Sequence, residues 1–455
     1  MSDSKETEAE IKINKPHRLL SGWWWVLAGL GVASITLAVM AIFPPRSVRL
    51  AQLPDSILIE AIPKSSYHSP DGTWWGYNQS KLARYGERVF MYIIDNQDDN
   101  RSTVSQMVIY QKDGDGPWRK GAGFPTSRPG NILIDSKGVL HAFVFEPLDI
   151  EKNDSFGKLM HYWFPDASSD NITDYKSETA IANDGSYEHV NIRVGAAIAP
   201  DDTLAVGFGL TENNPPGAGH SEHLYIKNPG DREWIHMVAG TNLGHDFYYP
   251  FIVATDDGFY MLTVQDDYYE PDPSRYNIYQ KILYLEYRGG QWQQDTIADL
   301  TGHPLAQDRL RLLEQSELWV DDTDQTHITY KEFTHPRDDW RANRLVHLQG
   351  GIGAWTETVI EEEGIDWVRL FEANGRLYYL LAGYNQLVIQ AVEGIDELIV
   401  DLPRDARGFY PYIGTRKTGQ VSNNYLDVIV HASDPNHYES AASYYVRVPT
   451  SALPN

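Results

Sequence analysis

Over most of its length the chain alternates apolar and polar residues in short runs that stop at Gly, Asp or Asn. Period-two alternation between turn residues is the pattern of half-buried β-strands. Many runs pair about an acidic or glycine turn, as in ARYGERVFMYII, LIDSKGVLHAFVF, IAPDDTLAVGFG, VATDDGFYMLTV, VDDTDQTHITY and EANGRLYYLLAG. Between them a second unit recurs, a turn followed by an aromatic and a short strand. Its aromatics are Trp118, Tyr175, Trp234, Trp292 and Trp355, at intervals of 57, 59, 58 and 63 residues. Each repeat thus holds two hairpins, or four strands, and four strands at a steady period of this length predict the blade of a β-propeller. Blade starts near Tyr77, Arg128, His189, Tyr248, Arg311, Trp367 and Tyr410 give seven blades; six or eight also satisfy the spacing. The last repeat ends at SYYVRV, one strand short, and an orphan strand precedes the first. The segment 57–63 is therefore expected to complete the last blade and close the ring, removing an exposed sheet edge.

One stretch breaks the β pattern. Gly22 to Phe43 carries no charge over 22 residues, enough to cross a bilayer core as a helix. Trp23, Trp24 and Trp25 mark one end, where indoles favour the headgroups, and Pro44-Pro45 end the helix at the other. Lys12, Lys15, His17 and Arg18 lean weakly toward an internal N-terminus against Arg46 and Arg49. The expected organisation is a short cytoplasmic tail (1–21), a transmembrane signal-anchor helix (22–43), a tether (44–56) and an all-β propeller domain (57–451). The protein is then single-pass in the cell membrane, with its C-terminal domain extracytoplasmic. A cleaved signal peptide is the alternative, disfavoured by the length of the apolar stretch and the mediocre site at Val39-Met40-Ala41.

Charge and composition narrow the function classes. With 38 Lys+Arg against 63 Asp+Glu the formal charge is -25, which argues against a nucleic-acid partner. The absence of cysteine excludes disulfides, thiolate nucleophiles and Cys-ligated zinc. No Gly-rich phosphate loop and no His-x-x-x-His on a helix points to a nucleotide or metal cofactor, so none is expected. Asp266-Asp267 with Asp272 could hold a structural calcium through hard oxygen ligands, although EF-hand spacing is lacking. Asn78, Asn100, Asn153 and Asn171 begin N-x-Ser/Thr sequons.

The segment Gln111-Lys112-Asp113-Gly114-Asp115-Gly116-Pro117-Trp118 resembles the Asp-box turn, Ser-x-Asp-x-Gly-x-Thr-Trp, of the sialidase-like, BNR-repeat propellers. It keeps the Asp and Trp spacing, with Gln for Ser and Asp for Gly, while the other repeats keep only the aromatic. The blade pattern is also similar to propellers of polysaccharide lyases, partly through WWGYNQSKLARYGERVFMYI and HDFYYPFIVATDDGFYML. The resemblance implies the fold first, and a glycan as ligand second.

In a propeller the residues that enter each innermost strand surround one mouth of the ring. Those positions hold Arg128, His189, Arg193, His245, Tyr249, Arg309, Arg311, Asp366, Trp367, Arg369 and Tyr410. Arginine forks bind carboxylates, and a cluster of them in an acidic protein suits a sialate or uronate. His189, His245 and Tyr249 are the candidate catalytic groups: a lyase neutralises a uronate carboxylate and removes the adjacent C–H proton with a Tyr or His base. The bland alternatives are that each Arg pairs with a carboxylate inside its blade, and that each His or Tyr is a structural hydrogen-bonder. A glycoside hydrolase would instead use paired carboxylates, for which Asp95, Glu146, Asp266, Glu332 and Asp366 are the candidates. The expected function is binding, with cleavage by a polysaccharide lyase or glycoside hydrolase mechanism as its extension, of an acidic glycan. The rival is a non-catalytic propeller that binds a protein or acts as an envelope scaffold.

Overall fold

A computed structural model describes residues 57–63, 78–96, 105–126, 129–148, 157–165, 172–182, 187–188, 194–212, 220–240, 246–267, 278–335, 343–361, 364–383, 385–403, 408–420, 424–432 and 443–455. The predicted helix at 22–43 lies outside these residues, as do the tail and tether. Among the described residues no helix is long and apolar enough to cross a membrane.

The described chain forms seven antiparallel sheets, the blades of a seven-bladed all-β propeller. Blade 1 runs Leu82–Tyr85, Arg88–Asn96, Ser105–Asp113 and Arg119–Thr126; blade 2 runs Asn131–Ile134, Leu140–Pro147, Gly157–Phe164 and Lys176–Ile181. Blade 3 has an innermost strand in two pieces, Tyr187–Glu188 and Val194–Ile198, then Leu204–Glu212, His220–Lys227 and Ile235–Gly240. Blade 4 is Asp246–Ala254, Gly258–Asp267, Ile278–Arg288 and Gln291–Asp299; blade 5 is Leu313–Val320, Thr326–Phe333, Asn343–Gly351 and Ala354–Ile360. Blade 6 is Ile365–Ala373, Arg376–Gly383, Gln386–Ala391 and Glu397–Asp401. Blade 7 takes Gly408–Gly414, Tyr425–Ala432 and Ser443–Pro449 from the end of the chain and its outermost strand, Leu58–Ile62, from the beginning. Innermost strands touch in order around the ring, and that of blade 7 meets that of blade 1. We call the face where innermost strands begin the upper face, and the face where they end the lower.

The recurring aromatics begin the outermost strands and pack toward the preceding blade. Trp118 meets Tyr445 of blade 7 edge-on at 5.3 Å, Tyr175 meets Phe124 of blade 1 at 5.1 Å, and Trp355 meets Tyr284 of blade 4 at 5.3 Å. Three indoles also reach a carboxylate on the preceding outermost strand. Trp234 Nε1 donates to Glu178 (3.1 Å), Trp355 Nε1 to Asp295 (2.9 Å) and Trp118 Nε1 to Glu60 (2.7 Å). A buried indole N–H needs an acceptor, so the ring supplies apolar contact and one directed bond at once. At the seam, the N-terminal strand supplies Glu60 where an internal blade would supply its own carboxylate. Lys112 grips the same side chain at 3.1 Å, as Lys227 grips Glu178 at 2.6 Å. Deeper in the seam, Arg84 forks onto Asp427 at 2.6 and 2.7 Å, and Tyr445 donates to the same carboxylate at 2.6 Å.

Described residues enter the central channel from both faces. Residues 78–81 cross it: Asn78 donates to the carbonyls of Val194 (3.1 Å) and Pro250 (2.9 Å), and Ser80 bonds both ways with blade 2 through Asn131 Oδ1 and the Ile132 N–H. Asn78 is 7% exposed, so this sequon is a structural amide rather than a glycosylation site. Lys81 lies fully buried with its ammonium 4.2 Å from the Tyr412 ring centre; burial, with Arg369 nearby, drives its pKa well below the usual lysine value. From below, the short 3₁₀ turn Arg416–Thr418 tucks into the ring and ends on Gly419 at φ 81°. A Cβ there would lie 1.5 Å from the Ile134 carbonyl oxygen, so only glycine allows this approach. Lys417 enters the channel to pair with Glu317, which Arg369 approaches at 3.8 Å.

Candidate functional site

Blades 4 to 7 share an irregularity that blades 1 and 2 lack in their innermost pairings. Register shifts fall between Tyr248 and Phe251, Gln315 and Glu317, Ile365 and Trp367, and Gly408 and Tyr410. Each bulge sits early in an innermost strand, where an extra residue breaks the ladder and re-aims a side chain. Tyr249 falls in the first with φ 58°, a costly conformation for a bulky residue and one that precedes Pro250. Asp366 is the extra residue of the third.

These bulges bring a polar cluster together at the upper ends of blades 4, 5 and 6. The Gln315 amide donates to the Tyr249 carbonyl at 2.8 Å, and the Tyr249 ring meets Tyr279 edge-on at 6.2 Å. Arg311 stands 5.6 Å over the Tyr279 ring and forms an ion pair with Glu314 at 2.6 Å. Lys331, at the end of the second strand of blade 5, lies 3.3 Å from both Glu314 and Asp366 and 4.9 Å from the centre of the Trp367 ring. Asn343 donates to the same Asp366 oxygen at 2.8 Å. Burial lifts the pKa of Asp366 above the usual carboxylate value, with Lys331 and Asn343 pulling the other way. The carboxyl is thus held in a dry site, its charge dependent on one lysine.

The crossover from blade 4 to blade 5 presents the arginines. It folds over a small core of Ile278, Ala306 and Leu312, carries a 3₁₀ turn at Pro304–Gln307, and is tied down where Tyr279 N donates to Leu310 O and Leu312 N to Tyr279 O. Arg309 and Arg311 are both half-buried on this rigid segment. Arg309 donates to the Arg311 and His335 carbonyls and stacks at 4.1 Å over Phe333.

The predicted site residues therefore divide. Tyr249, Arg309, Arg311, Asp366 and Trp367 converge on this cluster. Tyr249 and Trp367 are fully buried, Arg309 and Arg311 half-buried; Arg369 is 3% exposed, its guanidinium donating to the carbonyls of Pro411 and Ser316. Tyr410 lies on the blade 7 strand, with its side chain outside the described atoms, and Arg128, His189, Arg193 and His245 lie outside the described residues. The same holds for Asp272 and for the side chains of Asp266 and Asp267. Among the described residues no group of three or more His, Asp or Glu could hold a metal ion. Of the proposed hydrolytic carboxylates, Asp95, Glu146, Glu332 and Asp366 stand on four different blades, Glu146 beside Lys158 at 3.3 Å and Glu332 beside Arg344 at 2.8 Å. Sequence reasoning missed Glu314, Lys331 and Asn343; their only signal was their position next to strand ends.

On the lower face a cavity of about 410 Å³ is lined by hairpin-turn carboxylates. Their oxygens are already engaged: Asp321 accepts from Thr323 and Gln325 of its own turn, Asp202 from Ser136 of the blade 2 turn, and Asp322 pairs with Arg416.

No family model matches this chain, and no curated protein matches it in sequence. Solved structures match it in fold. The polysaccharide lyase Uly1 aligns with a TM-score of 0.54 at 10% identity, over 89% of this chain and 96% of that one. A PL25 ulvanlyase aligns at 0.51 and 11% identity, over 83% and 96%; a second structure of this kind, bound to -[GlcA(1-4)Rha3S]-, also aligns at 0.51. A sialidase from Trypanosoma rangeli is more distant, at 0.42 and 10% identity over 70% of this chain and 53% of that one. At such identities the likeness is one of fold: the chain is a seven-bladed propeller of the architecture found in polysaccharide lyases.

Proposed function

We infer that the chain is a single-pass membrane protein whose extracytoplasmic propeller engages an acidic glycan on its upper face, and that cleavage there is β-elimination. The observation that carries this reading is the convergence of Arg309, Arg311 and Lys331 with Asp366 and Tyr249 at the bulged ends of blades 4 to 6. Three cations against Glu314 and Asp366 make this a locally positive patch in a chain of charge -25, suited to a carboxylate or sulfate. The architecture shared with polysaccharide lyases, one of them bound to a glucuronate-containing unit, supports the same ligand class.

In this reading Arg311 and Arg309 hold the anionic group, while the buried Arg369 supports the ring from beneath. A base, Tyr249 or one of His189 and His245, takes the proton beside the uronate carboxylate. The C–H electrons form the new C=C bond, the glycosidic C–O bond breaks, and the leaving oxygen takes up a proton. Hydrolysis fits less well, because the nearest carboxylates, Glu314 and Asp366, are bridged by Lys331 rather than set across an open bond. The rival protein-binding scaffold draws its support from the internal partners of all three arginines: Arg369 and Arg309 donate to backbone carbonyls and Arg311 pairs with Glu314.

The test is a binding titration of the full chain, in detergent, with uronate-bearing, sialylated and neutral oligosaccharides at two salt concentrations. Salt-sensitive binding of an acidic oligosaccharide, weakened about tenfold in Arg311→Ala, is expected. Indifference to every acidic oligosaccharide would sink the glycan reading in favour of the scaffold. The membrane assignment is tested by carbonate extraction, which should leave the full chain in the membrane and release a form lacking residues 22–43.

A further inference from the structure

A groove lies between blades 2 and 3 near the lower face, on different blades from the upper-face cluster. The groove has a volume of about 360 Å³. One wall is Trp163, near the end of the third strand of blade 2 and half-buried; one face of its ring is covered by His161 at 5.1 Å. The turn Asn228-Pro229-Gly230-Asp231 of blade 3 also lines it. This turn is rigid: Pro229 fixes one torsion, Gly230 takes φ 88°, Asp231 N donates to Asn228 O at 3.1 Å, and the Asn228 amide donates to Asp231 at 2.8 Å. The floor is a chain of ionisable groups. His141 bonds His161 at 2.9 Å, His161 bonds Glu178 at 2.9 Å, and Glu178 receives Lys227 at 2.6 Å and the Trp234 N–H at 3.1 Å.

An indole and a fixed proline-glycine turn lining one groove, with carboxylate and amide groups beside them, suit a pyranose ring. The ring's C–H face lies on the indole and its hydroxyls reach the edges. Charge selects among saccharides. The lining carries Asp135, Glu178, Asp202 and Asp231 against Lys137 and Lys227. Burial holds the pKa of His161 down to about 4, so the imidazole adds no positive charge near neutral pH. The excess of two negative charges disfavours an anionic sugar.

A similar chain of histidines recurs between blades 5 and 6. In blade 5, Asp321, His327 and His347 form the equivalent chain, at 3.3 and 3.0 Å. There the chain ends on the Tyr379 hydroxyl of blade 6, 2.6 Å from His347, whose ring stands edge-on to the imidazole. Between blades 2 and 3 the chain ends instead on Glu178 and Lys227, and the space beside Trp163 is open.

We propose that this groove is a saccharide-binding site for an uncharged, hydroxyl-rich pyranose, stacked on Trp163 and separate from the upper-face site. The test is saturation-transfer NMR and calorimetry of the full chain with neutral hexasaccharides of glucose, mannose and xylose, alongside an oligogalacturonate. At least one neutral hexasaccharide should bind, with affinity reduced about tenfold in Trp163→Leu, retained in Trp163→Phe and unchanged in Arg311→Ala. Trp163→Leu keeps an apolar side chain on a half-buried position, and a native-like thermal transition confirms that it folds. Failure of every neutral hexasaccharide to bind, neutral binding that ignores Trp163→Leu, or binding of oligogalacturonate alone at this groove each overturns the proposal. Loss of the upper-face reading would appear separately, as acidic oligosaccharides indifferent to Arg311→Ala.

Discussion

The seam of the ring makes the strongest demand on a single side chain. Glu60 accepts from Trp118 at 2.7 Å and pairs with Lys112 at 3.1 Å, and the Lys112 side chain is 2% exposed. In Glu60→Ala the indole N–H loses its acceptor and the ammonium keeps only the Gly116 carbonyl among these partners. A lost bond to a buried neutral donor costs about 1 kcal/mol. Stranding a buried cation costs about 3 kcal/mol when its partner is equally buried; Glu60 is 26% exposed, which brings this nearer to about 2 kcal/mol. The sum is about 3 kcal/mol, a drop of about 4 °C in Tm for a domain of roughly 400 residues. At the internal latches, Glu178→Ala, which also loses a lysine partner, should cost a similar amount and Asp295→Ala, which loses only N–H donors, about 1–2 kcal/mol, with the ring left covalently continuous in both. Only Glu60→Ala should release the closing strand, so amide exchange should accelerate over 58–62 and 443–449 and little elsewhere. Calorimetry with exchange mass spectrometry reads both quantities. Unchanged exchange at these two strands in a destabilised Glu60→Ala protein would refute the latch.

Three further outcomes follow from the same geometry. Burial lowers the pKa of both His161 and His347 to about 4. The folded state therefore binds fewer protons than the unfolded, and the stability these imidazoles confer, present above about pH 6.5, is lost as pH falls toward about 4. The urea midpoint should fall between about pH 7 and about pH 4.5, and a flat profile contradicts the buried neutral histidines. Asp427→Asn strands the buried Arg84 guanidinium and should cost about 3 kcal/mol in urea unfolding; a cost below that of an ordinary surface change would mean the pair is not buried as described. Lys331→Met removes the cation between Glu314 and Asp366 and should reduce acidic-glycan binding while leaving binding at the Trp163 groove intact, read by parallel titrations.

The blades were legible in the sequence because each is built from local hairpins, whose alternation and Gly, Asp and Asn turns lie within a few residues of one another. The aromatics at Trp118, Trp234 and Trp355 were visible as a period. Their carboxylate partners, Glu60, Glu178 and Asp295, were not, because each pairing joins strands of different blades about 60 residues apart. The bulges also left no local mark. Tyr249 precedes a proline, which ordinarily favours extended backbone, yet it is held at φ 58° by its surroundings. Arg369 looked like its neighbours in sequence because strand position alone does not reveal depth; only the packed channel separates it from Arg309 and Arg311. Lys331 and Asn343 flank a long loop, and nothing in one dimension shows that they return to Asp366.

The most direct test of the central claim is product analysis after incubating the full chain with uronate-bearing polysaccharides, following ultraviolet absorbance and mass of the released fragments. The account predicts unsaturated uronate ends, abolished in Tyr249→Phe or His245→Ala and reduced in Arg311→Ala. Saturated reducing ends without unsaturation would replace the lyase chemistry with hydrolysis, and the absence of both binding and product with every acidic glycan would contradict the account.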